Sequence, residues 1–295
     1  MALVLITGTS KGIGYETALA FARAGNNVLA TMRSPVSSPR LAEVATREHL
    51  PIDIFSMDVD SDESVTEGFK AIHDKYGPAD VLVNNAGIER AGSIEELPLS
   101  EFRAVMETNY FGALRCIQAV LPHMRQRRSG CIINISSVAG RISSSPLTPY
   151  MATKWALEAL SEGLAGEMKM FNVRVAVVEP GIIDTEMAHR MEVAPGSSSY
   201  PQYVRIAAIF EASMQKNPVP PSDVAKKILE VADSGTWQLR HPVGSGAEGF
   251  LQWRKSFTDE EWVALYSADD ETWYARIERD LGLDTRPELL KRVAS

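Results

Sequence analysis

The stretch "LVLITGTSKGIG", residues 3–14, decides the fold of this 295-residue chain. Its first five residues predict a buried strand, and Gly8, Gly12 and Gly14 follow before a helical pattern begins. Glycine lets the backbone turn tightly and lets a pyrophosphate approach it, and the next helix offers free N–H groups to the same anion. The stretch therefore predicts a dinucleotide-binding loop, although its G-x-x-x-G-x-G spacing differs from the commonest fingerprint and a plain turn is the alternative.

The remaining sequence repeats the order of strand and helix. Continuous apolar runs predict strands that are covered on both faces of a sheet. They lie at 3–7, 27–31, 52–57, 80–84, 131–136, 173–179 and, more weakly, 237–241. Helical patterns lie at 15–24, 40–49, 62–76, 99–128, 149–171 and 221–234. Such alternation, with right-handed crossovers, predicts an α/β fold with a doubly wound parallel sheet.

Composition narrows the class of protein. A net charge of −8 at pH 7 argues against a nucleic-acid partner that is held by phosphate contacts. No run of about 18 apolar residues occurs, so no membrane span is expected. Cys116 and Cys131 lie in apolar segments, which favours buried thiols and a reducing, cytoplasmic location. The five histidines are scattered without metal-ligand spacing, so we predict no metal site.

Two segments depart from the alternation. Region 185–220 contains "APGSSSYPQY" and "KNPVPPSD", a composition typical of lids and substrate loops or of disorder. The tail, residues 244–295, carries acidic residues and three tryptophans. We expect the tail to form short helices packed on a catalytic domain of residues 1–243, with the covering of a sheet edge as the simplest role.

The end of the second predicted strand bears on the choice of cofactor. NAD-binding proteins place an acid there for the ribose 2′-hydroxyl, whereas a 2′-phosphate requires a cation. Met32 occupies this place, Arg33 follows it, and Lys11 lies in the glycine loop. A guanidinium can bind phosphate bidentately and an ammonium adds a point charge. The sequence favours NADP over NAD, unless both cations are ordinary surface residues.

Tyr150 and Lys154, in "YMATK", are candidates for acid–base catalysis. Residues four apart share one face of a helix, so both side chains can point into one cleft. A free phenol has a pKa of about 10, and lowering it to about 7 requires about 4 kcal/mol. We expect the Lys154 ammonium to supply part of this by favouring the phenolate.

These motifs together resemble the short-chain dehydrogenase/reductase family over residues 1–240. The resemblance is carried by "TGTSKGIG" (7–14), "DVD" (58–60), "NNAG" (84–87), "TNYFG", "ISSVAG", "YMATK" (150–154) and "PGIIDT" (180–185). It implies a Rossmann-type fold with a three-layer arrangement and a seven-stranded sheet, a nicotinamide-dependent exchange of alcohol and carbonyl, and a homodimer or homotetramer. "VLATMR" and the length are similar to the NADP-preferring hydroxysteroid and retinol dehydrogenase branch.

The resemblance also assigns roles to residues. It implies that Tyr150 is the acid or base, that Lys154 binds the nicotinamide ribose, and that Asn109 distorts its helix to hold a proton-relay water. Ser137 aligns with the serine that holds the substrate oxygen, an oxyanion-type role for which Ser136 is the neighbouring candidate. The remaining expected cofactor contacts are Gly8, Ser10, Lys11, Gly12, Ile13, Gly14, Arg33, Asp58, Val59, Asn85, Ala86, Gly87, Pro180, Gly181, Ile183 and Thr185.

The sequence thus predicts an NADP-dependent oxidoreductase that acts on a secondary alcohol or a ketone. Apolar residues near the predicted site favour a hydrophobic or cyclic substrate, and they are Val138, Ile142, Leu147, Met187 and Met191. One alternative is a regulatory protein that senses NADP(H) without turnover. Another is a family member with epimerase or dehydratase chemistry, a question that depends on region 185–220.

Overall fold

The apolar runs form seven strands of one parallel sheet. The structure is a computed structural model that describes residues 1–190, 198–200, 202–244 and 246–286. Its strands are β1 (Leu3–Thr7), β2 (Asn27–Met32), β3 (Ile52–Ser56), β4 (Val81–Asn84), β5 (Gly130–Ile135), β6 (Val173–Pro180) and β7 (Arg240–Val243). They lie in the order β3-β2-β1-β4-β5-β6-β7, and every neighbouring pair is parallel. The predicted doubly wound sheet is confirmed.

The seventh strand was predicted too early in the chain. It begins at Arg240 instead of Trp237. The Gln238 N–H donates to the Thr236 Oγ1 at 3.1 Å, and the Gln238 side chain donates to the Arg240 carbonyl at 2.7 Å. These local bonds turn the backbone, so pairing with β6 starts later than the apolar pattern suggests.

Helices cover both faces of this sheet. They are α1 (Gly12–Arg23), α2 (Arg40–Arg47), α3 (Asp62–Tyr76), α4 (Leu99–Met106), α5 (Gly112–Arg127), α6 (Thr148–Lys169), α7 (Glu186–His189), α8 (Gln202–Lys216), α9 (Pro221–Asp233), α10 (Ala247–Lys255), α11 (Asp259–Ser267) and α12 (Asp270–Leu281). Within the described ranges, none of them is long and apolar enough to cross a lipid bilayer.

The predicted helix 99–128 is not continuous. A π-helical turn, Glu107–Phe111, separates α4 from α5. Such turns widen the backbone spiral by one residue and occur often at functional sites. This turn carries Asn109, the one residue in the segment whose presence in a helix interior required a reason.

The apolar core lies on both sides of the sheet because the strands are buried on both faces. On one side, Val4 and Ile6 of β1 pack with residues of α1 and α9. On the other side, Leu5 and Leu82 pack with residues of α3, α5 and α6. Alternate residues of β1 therefore supply both cores, which fixes the register of the strand against its helices.

Region 185–220 and the tail form a third apolar cluster beside the sheet. It joins Ile206 and Ile209 of α8 to Trp253, Trp262 and Trp273 of the tail. Each tail tryptophan is at least nine-tenths buried. We call α8 together with α10, α11 and α12 the cap.

Candidate active site

A deep cavity opens where the strand order reverses between β1 and β4. Ligands of open α/β sheets bind in this crevice, beyond the carboxyl ends of the strands. The cavity has a volume of about 610 Å³. The glycine loop lines one end, residues of α6 line the middle, and the cap lines the other end.

The glycine loop has the backbone geometry that the sequence predicts. Gly8 and Gly12 have φ values of +71° and +61°, in the left-handed region that disfavours side chains. A Cβ on Gly14 would lie 2.3 Å from the Asn85 Nδ2. That Nδ2 donates to the Thr7 carbonyl at 2.9 Å and to the Gly8 carbonyl at 3.0 Å, so Asn85 fastens the loop to β4.

The cradle formed by this loop fits a dinucleotide. A Cβ on Gly12 would meet only the Thr185 Cγ2, at 3.8 Å, so the surface of the loop is open toward the cavity. Gly12 is the first residue of α1, whose N-terminal N–H groups and dipole favour an anion here. The loop's predicted contacts line the cavity, namely Gly8, Ser10, Lys11, Gly12 and Ile13, whereas Gly14 only makes room for Asn85.

The predicted adenosine contacts lie beside this cradle. Asp58, Val59, Asn85, Ala86 and Gly87 all line the cavity. The Asp58 N–H donates to the Ser64 Oγ at 2.9 Å, and its Oδ1 accepts from the Asp60 N–H at 3.2 Å. These bonds hold the carboxylate at the end of β3, where a purine would reach it.

The two cations predicted to bind a 2′-phosphate differ in their surroundings. Arg33 is exposed at the cavity mouth and has no carboxylate partner among the described residues. Its charge lowers the pKa of Asp60, although burial raises that pKa on balance. Lys11 instead forms an ion pair with Glu186 of α7, with an Nζ–Oε2 distance of 2.6 Å. Arg33 is therefore the cation that is free to receive a phosphate.

Ser137 and Tyr150 meet at the middle of the cavity. The Ser137 hydroxyl donates to the Pro180 carbonyl at 3.3 Å, and it lies close enough to the Tyr150 phenol to lower the pKa of that phenol. The neighbouring Ser136 hydroxyl is buried and has no hydrogen-bond partner in the described part of the chain. The hydroxyl beside the phenol therefore belongs to Ser137, which favours Ser137 over Ser136 as the group that contacts substrate.

Lys154 lies below Tyr150 on α6. Its Nζ is 5.5 Å from the centre of the Tyr150 ring and donates to the Ile135 carbonyl at 2.8 Å. Burial lowers the pKa of Lys154 to about 8, against the opposing charge of Glu158. The bond to β5 anchors this ammonium on the strand side of the helix.

The pKa of Tyr150 lies above its usual value in the protein alone. Burial raises it well above its usual range, the charge of Glu89 raises it further, and only the hydrogen bond to Ser137 lowers it. Lys154 does not lower this pKa in the protein alone, because burial depresses the pKa of Lys154 itself to about 8 and leaves it neutral where the phenol would ionise, so its expected stabilisation of the phenolate stays a prediction. The protein by itself keeps the phenol protonated, in the form that can donate a proton.

Asn109 connects three segments of the site. Its Oδ1 accepts from the Ile88 N–H at 2.8 Å, and its Nδ2 donates to the Ile88 carbonyl and to the Thr153 Oγ1, both at 2.9 Å. Thr153 in turn donates to the Tyr150 carbonyl at 2.7 Å. The π-helical turn thus positions an amide that joins the segment after β4 to the helix of Tyr150 and Lys154.

The segment after β6 forms the cavity wall opposite α6. Pro180, Gly181, Ile183 and Thr185 all line it. The Gly181 N–H donates to the Val243 carbonyl at 3.0 Å, and the Thr185 hydroxyl accepts from the Ala188 N–H at 3.4 Å to begin α7. Bonds to β7 and to α7 thus fix the place predicted to hold the nicotinamide amide.

Apolar side chains dominate the cap end of the cavity. Val138, Ile142, Leu147 and Met187, which the sequence indicated, are among them, while Met191 lies outside the described residues. Region 185–220, which the sequence indicated as a lid or substrate loop, contributes Tyr203, Ile206, Ile209 and Phe210. Sequence reasoning missed the contribution of the tail, which is Phe250, Trp253 and Tyr266. Sequence periodicity shows that such helices bury one face, but not that this face borders a cavity.

Sequence reasoning also missed Glu89. It lies two residues after "NNAG" and lines the cavity. Burial raises the pKa of its carboxyl to about 7. Its Oε1 is buried and has no hydrogen-bond partner among the described residues. The proximity of Glu89 to the "NNAG" motif was the signal that the sequence offered.

The site has no resident metal cluster in the part of the chain that the structure describes. No group of three or more His, Cys, Asp or Glu side chains converges there.

Comparisons with known proteins agree with this arrangement. The family description "short chain dehydrogenase" matches residues 2–195. The uncharacterised oxidoreductase YusZ of Bacillus subtilis is 34% identical over 271 residues, which cover 89% of this chain and 96% of that protein. Human retinol dehydrogenase 8 is 39% identical over 254 residues, 80% of this chain and 79% of its own. The crystal structure of a short-chain dehydrogenase from Streptomyces avermitilis matches with a TM-score of 0.75 and 33% identity, covering 91% of this chain and 99% of the other.

Proposed function

Because the chain belongs to the short-chain dehydrogenase family of oxidoreductases, which use nicotinamide cofactors, we propose that it interconverts a secondary alcohol and a ketone, or an aldehyde, with NADP. One observation carries this proposal. Ser137, Tyr150 and Lys154 line the same 610 Å³ cavity whose far end is the open cradle of the glycine loop. A cofactor seated on the cradle and a substrate under the cap would meet at the phenol.

The proposed mechanism assigns a task to each polar group. The bound nicotinamide supplies or accepts the hydride. The Ser137 hydroxyl and the Tyr150 phenol, which line the same part of the cavity, together hold the substrate oxygen. In reduction Tyr150 donates its proton to that oxygen, and in oxidation it accepts the proton.

Lys154 and Asn109 support this transfer. The pKa of Lys154, about 8, lies near neutral pH, so its ammonium can release and recover a proton as Tyr150 is recharged. Asn109 holds the backbone of Ile88 and the hydroxyl of Thr153, which keeps the two segments of the site at a fixed separation. We assign Asn109 to the relay of protons and Lys154 also to the nicotinamide ribose.

The proposed preference for NADP depends on Arg33. Met32 is an uncharged residue at the end of β2, where a carboxylate would repel a 2′-phosphate. Arg33 follows it without a carboxylate partner among the described residues, and it lines the cavity. An unpaired guanidinium at this place favours the phosphorylated cofactor.

We propose an apolar substrate. Aromatic and aliphatic residues of the cap line the substrate end, and burial of such surface is what an extended hydrophobic ligand gains. The match to a retinol dehydrogenase, whose name indicates an apolar alcohol as substrate, points in the same direction.

We also propose a homodimer or homotetramer. Phe111, directly before α5, and Trp155, on α6, are exposed, and such side chains suit an interface between subunits. Two buried free thiols, Cys116 and Cys131, suit the cytoplasm.

The test is turnover by the wild type and by Tyr150→Phe. Wild-type protein should oxidise NADPH in the presence of an apolar ketone, followed by absorbance of the reduced nicotinamide. Tyr150→Phe should lower kcat by about 10²–10⁴ because it removes the proton donor. It should leave the Kd for NADPH within about twofold of the wild-type value. The corresponding change in binding free energy is smaller than the contribution of a typical hydrogen bond.

Tyr76→Phe is the matched control, since this phenol lies on α3 outside the cavity. It should retain wild-type activity. Full activity in Tyr150→Phe would contradict the acid–base role. Tight NADPH binding with no turnover of any ketone or alcohol would favour the sensing alternative, and conversion without net change in NADPH would favour an epimerase or a dehydratase.

A further inference from the structure

Glu89 is the polar group at the substrate end of the cavity that the catalytic arrangement leaves unused. The charge of its carboxylate raises the pKa of Tyr150 on α6 and also that of Tyr203 on α8. The carboxyl therefore lies where the catalytic helix faces the cap. Two other cavity residues, Asp60 and Ser136, also have unpartnered buried oxygens, but they border the end of β3 and the end of β5.

The backbone around Glu89 is held on both sides. Ile88 exchanges two hydrogen bonds with the side chain of Asn109, at 2.8 and 2.9 Å. The Arg90 Nη1 donates to the Glu89 carbonyl at 2.8 Å. Glu89 thus has the fixed backbone of a preorganised binding group, because bonds on both sides limit its freedom before any ligand arrives.

The adjacent cation does not neutralise this carboxyl. The Arg90 guanidinium binds the Glu101 carboxylate and the Glu89 main-chain oxygen instead. No side-chain hydrogen bond or ion pair of Glu89 occurs within the described ranges. Leaving a buried carboxyl oxygen without a partner costs about 1–3 kcal/mol, which a ligand group could recover.

We propose that Glu89 determines substrate specificity by binding a hydroxyl group of the substrate, so that the enzyme prefers apolar ketones that carry a second, hydroxylated carbon. The inference rests on the proposed function. It adds one hydrogen-bonding group to a substrate end that otherwise contacts the substrate through apolar side chains.

A hydroxyl fits this position better than an ammonium group. An ammonium has three N–H donors and requires several acceptors when it is buried, whereas a hydroxyl requires one acceptor for its single donor. Glu89 offers one buried oxygen without a partner among the described residues, in a cavity that apolar residues such as Ala91, Val138 and Ile142 also line. A neutral Glu89 carboxyl can also donate to the hydroxyl oxygen, so both protonation states provide a hydrogen bond.

The experiment compares three ketones of one carbon skeleton, namely 2-decalone, 6-hydroxy-2-decalone and 6-amino-2-decalone. Each is tested for NADPH-dependent turnover and, separately, for binding by quenching of tryptophan fluorescence, since Trp253 lines the cavity. The variants are Glu89→Gln, which keeps the hydrogen-bonding capacity, and Glu89→Leu, which removes it with a side chain suited to an apolar wall. Glu63→Leu, an exposed carboxylate of α3, controls for loss of one charge.

Wild-type protein should bind 6-hydroxy-2-decalone about tenfold more tightly than 2-decalone, as expected for one hydrogen bond to a buried group. Glu89→Gln and Glu63→Leu should keep this ratio, and Glu89→Leu should reduce it to about one while binding 2-decalone at least as well. An unchanged ratio in Glu89→Leu, no preference in the wild type, or tightest binding of the amino ketone would each overturn the proposal.

Failure of the proposed function gives a different pattern. If the wild type turned over none of the ketones, the oxidoreductase assignment for this substrate class would fail, while the fluorescence titrations would still decide the role of Glu89. If turnover occurred with all three ketones at a ratio that Glu89→Leu does not change, the oxidoreductase would stand and the role of Glu89 would not.

Discussion

The two ends of the cavity are built from different parts of the sequence. The cofactor end is made by short segments at the ends of β3, β2, β1 and β4, which are consecutive strands of the sheet. The substrate end is made by the cap together with Glu89, segments separated by more than 100 residues. The cofactor end therefore depends on backbone conformation, and the substrate end depends on the packing of side chains.

This difference separates the kinds of substitution that each end of the cavity can tolerate. A glycine loop that binds pyrophosphate requires particular φ values and close approaches, such as the 2.3 Å that leaves no room for a Cβ on Gly14. An apolar cap can change its residues as long as it remains packed. Damage to the cap should therefore affect substrates and stability, and damage to the loop should affect the cofactor.

The largest expected effect is on stability, and it comes from a substitution that disrupts the packing of the cap. Trp273 is fully buried, packs on Tyr266 with ring centres 5.3 Å apart, and lies under the Arg205 guanidinium. Trp273→Ala should lower the free energy of unfolding by about 3–5 kcal/mol, because it leaves a large cavity. Urea unfolding measures this change, and the Kd for NADPH of the folded variant should stay near the wild-type value.

Two variants control for this effect. Trp273→Phe should lose clearly less, because it keeps the ring contact and removes an N–H that has no partner among the described residues. Trp237→Ala, a half-exposed tryptophan before β7, should change stability by about 0.5 kcal/mol or less. Weaker NADPH binding in folded Trp273→Ala would show that the two ends of the cavity are not independent.

The second effect concerns Glu89 and pH. Burial raises its pKa from 4.5 to about 7, so the folded chain holds this proton more tightly than the unfolded chain. The stability that the neutral carboxyl contributes is complete below pH 4.5 and is lost as pH rises to about 7, a change of up to about 3 kcal/mol. Glu89→Gln has no such proton, so its stability relative to wild type should rise across this window.

Urea unfolding at intervals from pH 4.5 to 8 measures that difference. Comparing the two proteins cancels the titration of all other groups that the substitution leaves unchanged. Parallel curves for wild type and Glu89→Gln would mean that the Glu89 carboxyl ionises as it does in the unfolded chain, and so that it is not buried at the substrate end.

The smallest expected effect concerns the cofactor end of the cavity and tests the contact between Arg33 and a 2′-phosphate. Arg33→Ala should raise the KM for NADPH by about tenfold to a hundredfold, because a charged hydrogen bond contributes about 1.5–3 kcal/mol, and should leave the KM for NADH nearly unchanged. Lys11→Ala should have a smaller effect, since Lys11 is already paired with Glu186 on an exposed surface. Steady-state kinetics with both cofactors measure this, and an unchanged ratio of the two KM values in Arg33→Ala would argue against a 2′-phosphate at Arg33.

Much of the sheet and the helices around it could be read from the sequence. Buried parallel strands are continuous apolar runs, and the patterns at 3–7 and 62–76 coincide with β1 and α3. Helix α8 was not predicted, because region 185–220 is rich in Pro and Ser near its two ends. The π-helical turn lies at Asn109, where the resemblance implied a distorted helix, although a single inserted residue leaves the apolar periodicity of 99–128 almost unchanged.

The candidate site divides in the same way. The residues of the catalytic group were named from their motifs, and the structure brings Ser137, Tyr150 and Lys154 to one cavity. The lowering of the pKa of Tyr150 by Lys154 stays a prediction, whereas burial raises that pKa in the protein alone. That pKa depends on burial and on the distances to Glu89 and to Lys154, and spacing along a helix fixes neither of them.

The sequence by itself determined the succession of strands and helices along the chain, the glycine loop and the identities of the catalytic candidates. Local backbone preferences and hydrophobic periodicity act over a few residues, so they can be recognised in the sequence. Only the tertiary structure decided that Lys11 is paired while Arg33 has no carboxylate partner among the described residues, that described residues of the tail line the substrate end, and that the buried Glu89 Oε1 has no partner among the same residues. These outcomes depend on which distant side chains meet and on how much water their contact excludes, and both are properties of the packed chain.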